Sequence, residues 1–132
     1  MKYSHTKKVN LPFKETVTKV KEELSKEGFG ILCEIDVKTT LKKKVDVEYE
    51  NYIILGACSP SLAYQALQAE KEAGLLLPCN VIIYEEKKSV FVSTILPTVI
   101  METVGNTLLG DVAAQVELKL KKVIEMVSHR VG

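Results

Sequence analysis

The chain has no tryptophan, and aromatic residues make up only 6% of it. Stacking platforms of the kind that hold single-stranded nucleic acid are therefore scarce. The net charge is only +1, too weak a field to draw in a nucleic acid or an anionic membrane by itself. The local lysine groups, Lys42-Lys43-Lys44 and Lys119, Lys121 and Lys122, read as solvated helix faces. No apolar run approaches the roughly 18 residues of a membrane span, and no signal-peptide core follows the opening Met1-Lys2-Tyr3-Ser4-His5. The expectation is a soluble cytoplasmic protein with no membrane partner, and nucleic acid is disfavoured. Cysteine is also sparse: Cys33, Cys58 and Cys79 are odd in number and lack Cys-x-x-Cys spacing, which argues against a disulfide framework or a zinc ribbon. Reduced thiols fit a cytosolic compartment.

What is present is ordinary globular patterning. Hydrophobic residues at 46% and charged residues at 27% are near the average for soluble domains. A chain of 132 residues can bury roughly two thirds of its unfolded surface around one core, so residues 1–132 are expected to form one α+β domain.

The stretch 3–9 alternates weakly and predicts a strand. Pro12 opens a helix on which Phe13, Val17, Val20 and Leu24 recur at helical spacing, and Gly28 stops it. Residues 30–37 predict a strand with Ile31, Cys33, Ile35 and Val37 packed inward, and with Leu32, Glu34 and Asp36 on the outward face. A short helix or turn over 39–44 and an acidic turn over 46–51 lead to the nearly all-apolar run Tyr52-Ile53-Ile54-Leu55-Gly56-Ala57-Cys58, as a central strand requires. Strands over 80–85 and 89–96 flank a hairpin turn at Glu86-Lys87-Lys88. A short helix starts at Pro97 or Thr98 and ends near Gly105-Asn106. The last helix, about 108–129, carries Leu109, Val112, Val116, Leu120, Val123 and Val127 three or four apart.

A local echo runs through this order. The first two helices end in the Glu-containing turns Glu27-Gly28 and Glu72-Ala73-Gly74, and a cysteine follows each glycine by five positions. The pattern predicts a two-layer α+β sandwich, an open and mainly antiparallel sheet with its helices on one face, built from two split strand-helix-strand units.

The unusual residue types gather where Gly56-Ala57-Cys58 meets Ser59-Pro60 and where Leu77-Pro78-Cys79-Asn80 begins a strand. Ser59 is placed to cap the next helix through its hydroxyl, with Pro60 in the first helical position, where its missing N–H costs nothing. Tyr64 and Gln68 lie four apart on that helix and share a face that could line a pocket. Asn80 offers an amide to a ligand or to the backbone at the strand start. With the second strand read as running parallel to the first, Cys58 and Cys79 fall at opposite ends of the sheet, about 20 Å apart, too far for a bridge. Cys58 at a helix N-terminus is the strongest nucleophile candidate, but His5 and His129 lie near the chain ends. A Cys–His arrangement requires the strand of His5 to lie beside Cys58. Gly28-Phe29-Gly30 lacks the spacing of a phosphate loop, and Glu85-Glu86 reads as a solvated turn.

Several segments together resemble one family: Glu27-Gly28-Phe29-Gly30-Ile31-Leu32, Glu34-Ile35-Asp36-Val37, Ile54-Leu55-Gly56-Ala57-Cys58, Ala63-Tyr64-Gln65-Ala66-Leu67, and the run from Gly74 to Val81. They look like the family catalogued as domain of unknown function 302, over about residues 13–124. Many relatives carry Asn after the first motif cysteine; this chain has Ser59, which keeps the capping ability and lacks the amide. The resemblance implies a fold like the α+β half of the TATA-box-binding protein and a tendency to dimerise, and it implies no particular activity or ligand.

Two functions stay open. One is a non-enzymatic homodimeric module that binds a small ligand or metal through Cys58, Ser59, Tyr64, Gln68, Cys79 and Asn80. The other is a thiol-redox or cysteine-nucleophile enzyme using Cys58.

Overall fold

Strict two-residue alternation and near-continuous apolar runs make the sheet, and 3.6-residue stripes make the layer that covers it. The computed structural model describes residues 2–129. In chain order the elements are β1 (Ser4–Val9), α1 (Phe13–Lys26), β2 (Gly30–Asp36), α2 (Val37–Val45) and β3 (Tyr52–Cys58). They continue with α3 (Pro60–Ala69), a 3₁₀ helix (Lys71–Leu76), β4 (Cys79–Glu86), β5 (Ser89–Ile95), α4 (Pro97–Met101) and α5 (Thr107–Ser128). The sheet has the order β1-β5-β4-β3-β2, and every neighbouring pair is antiparallel. β1 and β2 therefore run parallel at opposite edges, and α1 joins them across the sheet. The architecture is the expected α+β open sheet with its helices packed on one side.

The core lies between the helices and the middle strands. Leu55, Val81, Ile83 and Val92 face Val20 and Leu24 of α1 and the buried stripe Leu109, Val112, Val116, Leu120, Val123, Ile124 and Val127 of α5. The α5 stripe is the one its spacing predicts. On α1 the buried face also takes Thr16 and Glu23. The Thr16 hydroxyl donates to the Pro12 carbonyl at 3.0 Å, which satisfies it inside the core. Burial pushes the Glu23 carboxyl up, but its hydrogen bonds from Lys26 and Lys19 outweigh burial and hold it below the ordinary carboxylate value.

The edge strand β2 departs from its expected pattern. The register shifts between Ile31 and Cys33, a bulge that reverses which residues face the helices. Ile31 lies opposite Ala57 on the helix side, but Cys33 falls opposite Gly56 and Ile35 opposite Ile54, on the far face. The inward face of Ile31, Cys33, Ile35 and Val37 is thus corrected: Val37 opens α2, and Ile35 is 44% exposed. Glu34 sits opposite Leu55 on the helix side rather than on the outward face, yet it remains exposed as expected. There it meets Lys21 of α1 at 2.6 Å. Asp36 caps α2, accepting from the Thr39 N–H at 3.0 Å.

β4 and β5 are joined by a two-residue turn, because Glu86 pairs with Ser89. Lys87 and Lys88 both take positive φ, 50° and 68°, the geometry of a type I′ turn that favours Asn-Gly. Left-handed backbone costs an L-residue about 1–2 kcal/mol. Replacing the pair by Asn-Gly (Lys87→Asn, Lys88→Gly) is expected to stabilise the protein by about 1 kcal/mol, read as a higher midpoint in urea unfolding with an unchanged slope.

Candidate functional site

The connection from β3 to β4 builds the site. Ile53 lies opposite Ile83, Leu55 opposite Val81 and Ala57 opposite Cys79, so the two strands are antiparallel neighbours. The segment between them leaves and re-enters the sheet at the same end. Cys58 and Cys79 are therefore not about 20 Å apart at opposite ends; their Cα atoms are neighbours across the ladder, roughly 6 Å apart. The expected parallel crossover fails because a helix between two strands does not by itself set their relative direction. All three cysteines are free thiols.

The excursion is α3 followed by the 3₁₀ helix. Its first helix ends at Ala69, earlier than the turn at Glu72-Ala73-Gly74, and the side-chain amide of Asn106 donates to the Ala69 carbonyl at 3.1 Å. One of the open carbonyls at the helix end is thereby satisfied. Asn106 also accepts from the Leu109 N–H at 3.1 Å and caps α5. One side chain thus ties the end of α3 to the start of α5.

Between these elements lies a cavity of about 380 Å³, half-enclosed. Ala57, Cys58, Cys79 and Asn80 line it at the strand ends, and Leu62, Ala63 and Ala66 come from α3. Leu75, Leu76, Leu77 and Pro78 form one wall, and Pro97, Ile100 and Met101 form another. Leu109, Val112 and Val116 of α5 and the distant Phe29 complete it. Four of the six expected site residues, Cys58, Ser59, Cys79 and Asn80, come together here. Tyr64 and Gln68 do not: both are exposed, Tyr64 by 64%, on the solvent side of α3. Their four-residue spacing gives a shared face, and Leu62 and Ala66 occupy the buried one.

Ser59 holds the N-cap position of α3, with Pro60 following, but its hydroxyl makes no capping bond. It is only 7% exposed. Among the described residues no sealed side-chain polar atom lacks a partner; the Ser59 hydroxyl opens on the cavity instead.

Burial pushes the Cys79 thiol up to about 11, with neighbouring Cys58 adding to the shift. At neutral pH Cys79 is a protonated, inert thiol. His5 does not reach Cys58. His5 lies on β1, separated from β3 by β5 and β4, and its Nε2 is 2.8 Å from Glu125 Oε2 on α5. The requirement that the strand of His5 lie beside Cys58 is not met. That hydrogen bond from His5 holds the Glu125 carboxyl below its ordinary value.

Gly56 is fixed by close approach. A Cβ there would sit 2.6 Å from Cys33 Sγ and 2.8 Å from Pro78 Cγ. The β2 bulge turns Cys33 onto Gly56, and the Pro78 ring packs against the same point.

Several cavity residues were not singled out by sequence. The α5 residues belong to the apolar stripe and Pro97 to the start of a short helix, which ends at Met101 rather than near Gly105-Asn106. Their convergence with Phe29 and Leu75 requires the fold.

With this geometry in place, comparison with known proteins shows the class. The model of the family described as "Domain of unknown function DUF302" matches residues 5–127, and the chain belongs to that family. Among solved structures it is similar to an uncharacterised conserved DUF302 protein from Bacillus stearothermophilus. The two share 26% identity and a TM-score of 0.91, covering 96% of this chain and 99% of that one. No curated protein matches the chain.

Two outcomes follow. Gly56→Ala is expected to destabilise by about 1–3 kcal/mol through overpacking. Cys33→Ala in the same chain should recover part of that loss, since Pro78 still blocks the site; paired thermal unfolding of the single and double variants measures this. Iodoacetamide at pH 7.5 is expected to alkylate exposed Cys33 well before Cys79, whose rate should climb as pH rises toward 11. Peptide mass mapping reads both, and unfolding should erase the difference.

Proposed function

We propose that this chain is a non-enzymatic binding module that holds a small ligand in the cavity at the Cys58-Ser59-Pro60 junction. The cavity itself carries the reading. At about 380 Å³ it lies within the size range of small-molecule pockets, about 300–1,000 Å³. Like such pockets it is mostly apolar with a few polar groups, here Ser59, Asn80 and the two thiols. Among the described residues no three His, Cys, Asp or Glu side chains gather closely enough to hold a metal, so the reading favours an organic ligand over an ion. The protonated state of Cys79 and the remoteness of His5 from Cys58 weigh against thiol catalysis.

The module works as a homodimer in this reading. An antiparallel sheet with one solvated face normally alternates apolar with polar. Here the helix-free face carries Tyr52, Ile54, Ile82, Tyr84 and Phe91, all only half-buried. The rings of Tyr52 and Tyr84 stack at 5.6 Å and those of Tyr84 and Phe91 at 5.3 Å. A second copy laid on this face would cover it, as two sheets pack in a sandwich. The free thiols and the absence of any helix long and apolar enough to cross a membrane among the described residues are compatible with a cytoplasmic setting.

Native mass spectrometry of the purified protein tests both parts. A dimer is expected, with Ile82→Lys giving monomer. Added mass is expected that leaves on denaturation and is absent from Ala63→Phe, whose ring fills the cavity. A wild-type monomer at micromolar concentration would sink the dimer. Bound mass that survives Ala63→Phe would sink the pocket.

A further inference from the structure

We infer that the ligand of this cavity is an uncharged, largely apolar molecule with one hydrogen-bonding group, and that Leu75 closes over it. The inference rests on the binding-module reading above and adds the chemistry of the ligand. Among the described residues the cavity lining contains no Asp, Glu, Lys, Arg or His. An ionised ligand would lose its hydration there without gaining a counter-charge, a cost no apolar contact offsets. Cys79 supplies no charge, since burial keeps its thiol protonated at neutral pH.

Two neutral polar side chains, Ser59 and Asn80, line the cavity, and of the two only Ser59 is buried. Ser59 is more than nine-tenths buried, its hydroxyl serves no cap, and it opens on the cavity. Without a protein partner and facing the cavity, this hydroxyl is available to a polar group on a ligand. A ligand carrying one neutral donor or acceptor, such as an alcohol or an ester, satisfies it while the rest of the molecule meets Leu62, Leu76, Ile100 and Val112.

Leu75 supplies the closing contact. It lines the cavity on the 3₁₀ helix yet is 83% exposed. At the cavity rim its side chain is placed to lie against an apolar ligand, which would remove its apolar surface from water.

The test uses the whole chain and the neutral fluorophore N-phenyl-1-naphthylamine, displaced at pH 7 by 1-octanol, octanoate or octylammonium. These share a tail and differ in charge. Octanol is expected to displace the probe at concentrations at least about tenfold below either ion. Leu75→Ser should weaken octanol about tenfold with an unchanged melting temperature. Ser59→Ala should narrow the preference for octanol over the probe, while Ala63→Phe should abolish uptake; Ala63→Leu replaces it if the larger ring prevents folding. Failure of the wild type to take up the neutral probe, or octanoate or octylammonium competing as well as octanol, would overturn the inference. The pocket reading would survive that result wherever the bound mass seen by native mass spectrometry still disappears in Ala63→Phe. Probe uptake undiminished in the cavity-filling variant would instead overturn the pocket reading, and this inference with it. An unchanged octanol affinity in Leu75→Ser would remove Leu75 from the site.

Discussion

The antiparallel pairing of β3 with β4 is the constraint on which the rest of the molecule depends. Ile53 against Ile83 and Leu55 against Val81 are buried pairs, and a slip of one residue would turn both sets out of the core. Once that register is set, Cys58 and Cys79 must lie side by side at one end of the sheet. The chain from Ser59 to Pro78 must then begin and end there. A helix and a 3₁₀ helix occupy that span, and they cannot lie flat over the sheet, because α1 and α5 already cover it. They stand off the sheet end and leave a cavity with the start of α5 as its back wall.

The second layer is built around α5. Its stripe from Leu109 to Val127 packs over β1 and β5, while α1 lies over β4. Only its first turns extend past the strand ends, where Leu109, Val112 and Val116 serve core and cavity at once. Asn106 holds this arrangement together by capping α5 and taking the end of α3 in the same side chain. The cavity wall continues the core at Leu109, Val112 and Val116, while Leu75 on the 3₁₀ helix stands largely exposed.

Gly56 shows how local geometry and the far face are linked. The bulge in β2 brings Cys33 over it, and Pro78 closes from the other strand. The cysteine that looked like an inward core residue is instead a surface thiol resting on a glycine. The apolar far face, with its row of Tyr52, Tyr84 and Phe91, is the other consequence of strands apolar on both sides. A two-layer molecule leaves one such side open.

Much of the fold was legible in the order of residues because it depends on periods within single elements. The α5 stripe, the β3 run, the Pro60 helix start and the Lys87-Lys88 turn are all local, set by side-chain alternation, helical spacing and the restricted backbone of proline. Membership of the family was legible for a related reason, since its motifs are contiguous. Tertiary structure alone decided the direction of β4 relative to β3, the bulge that reversed Cys33 and Glu34, and the turning of Tyr64 and Gln68 to solvent. Each depends on pairing or packing between residues distant in the chain, and no local period records it. The cavity belongs to this second group: a void is made where elements fail to meet, and Phe29, Leu75, Met101 and Val116 carry no mark in sequence that they face the same empty space.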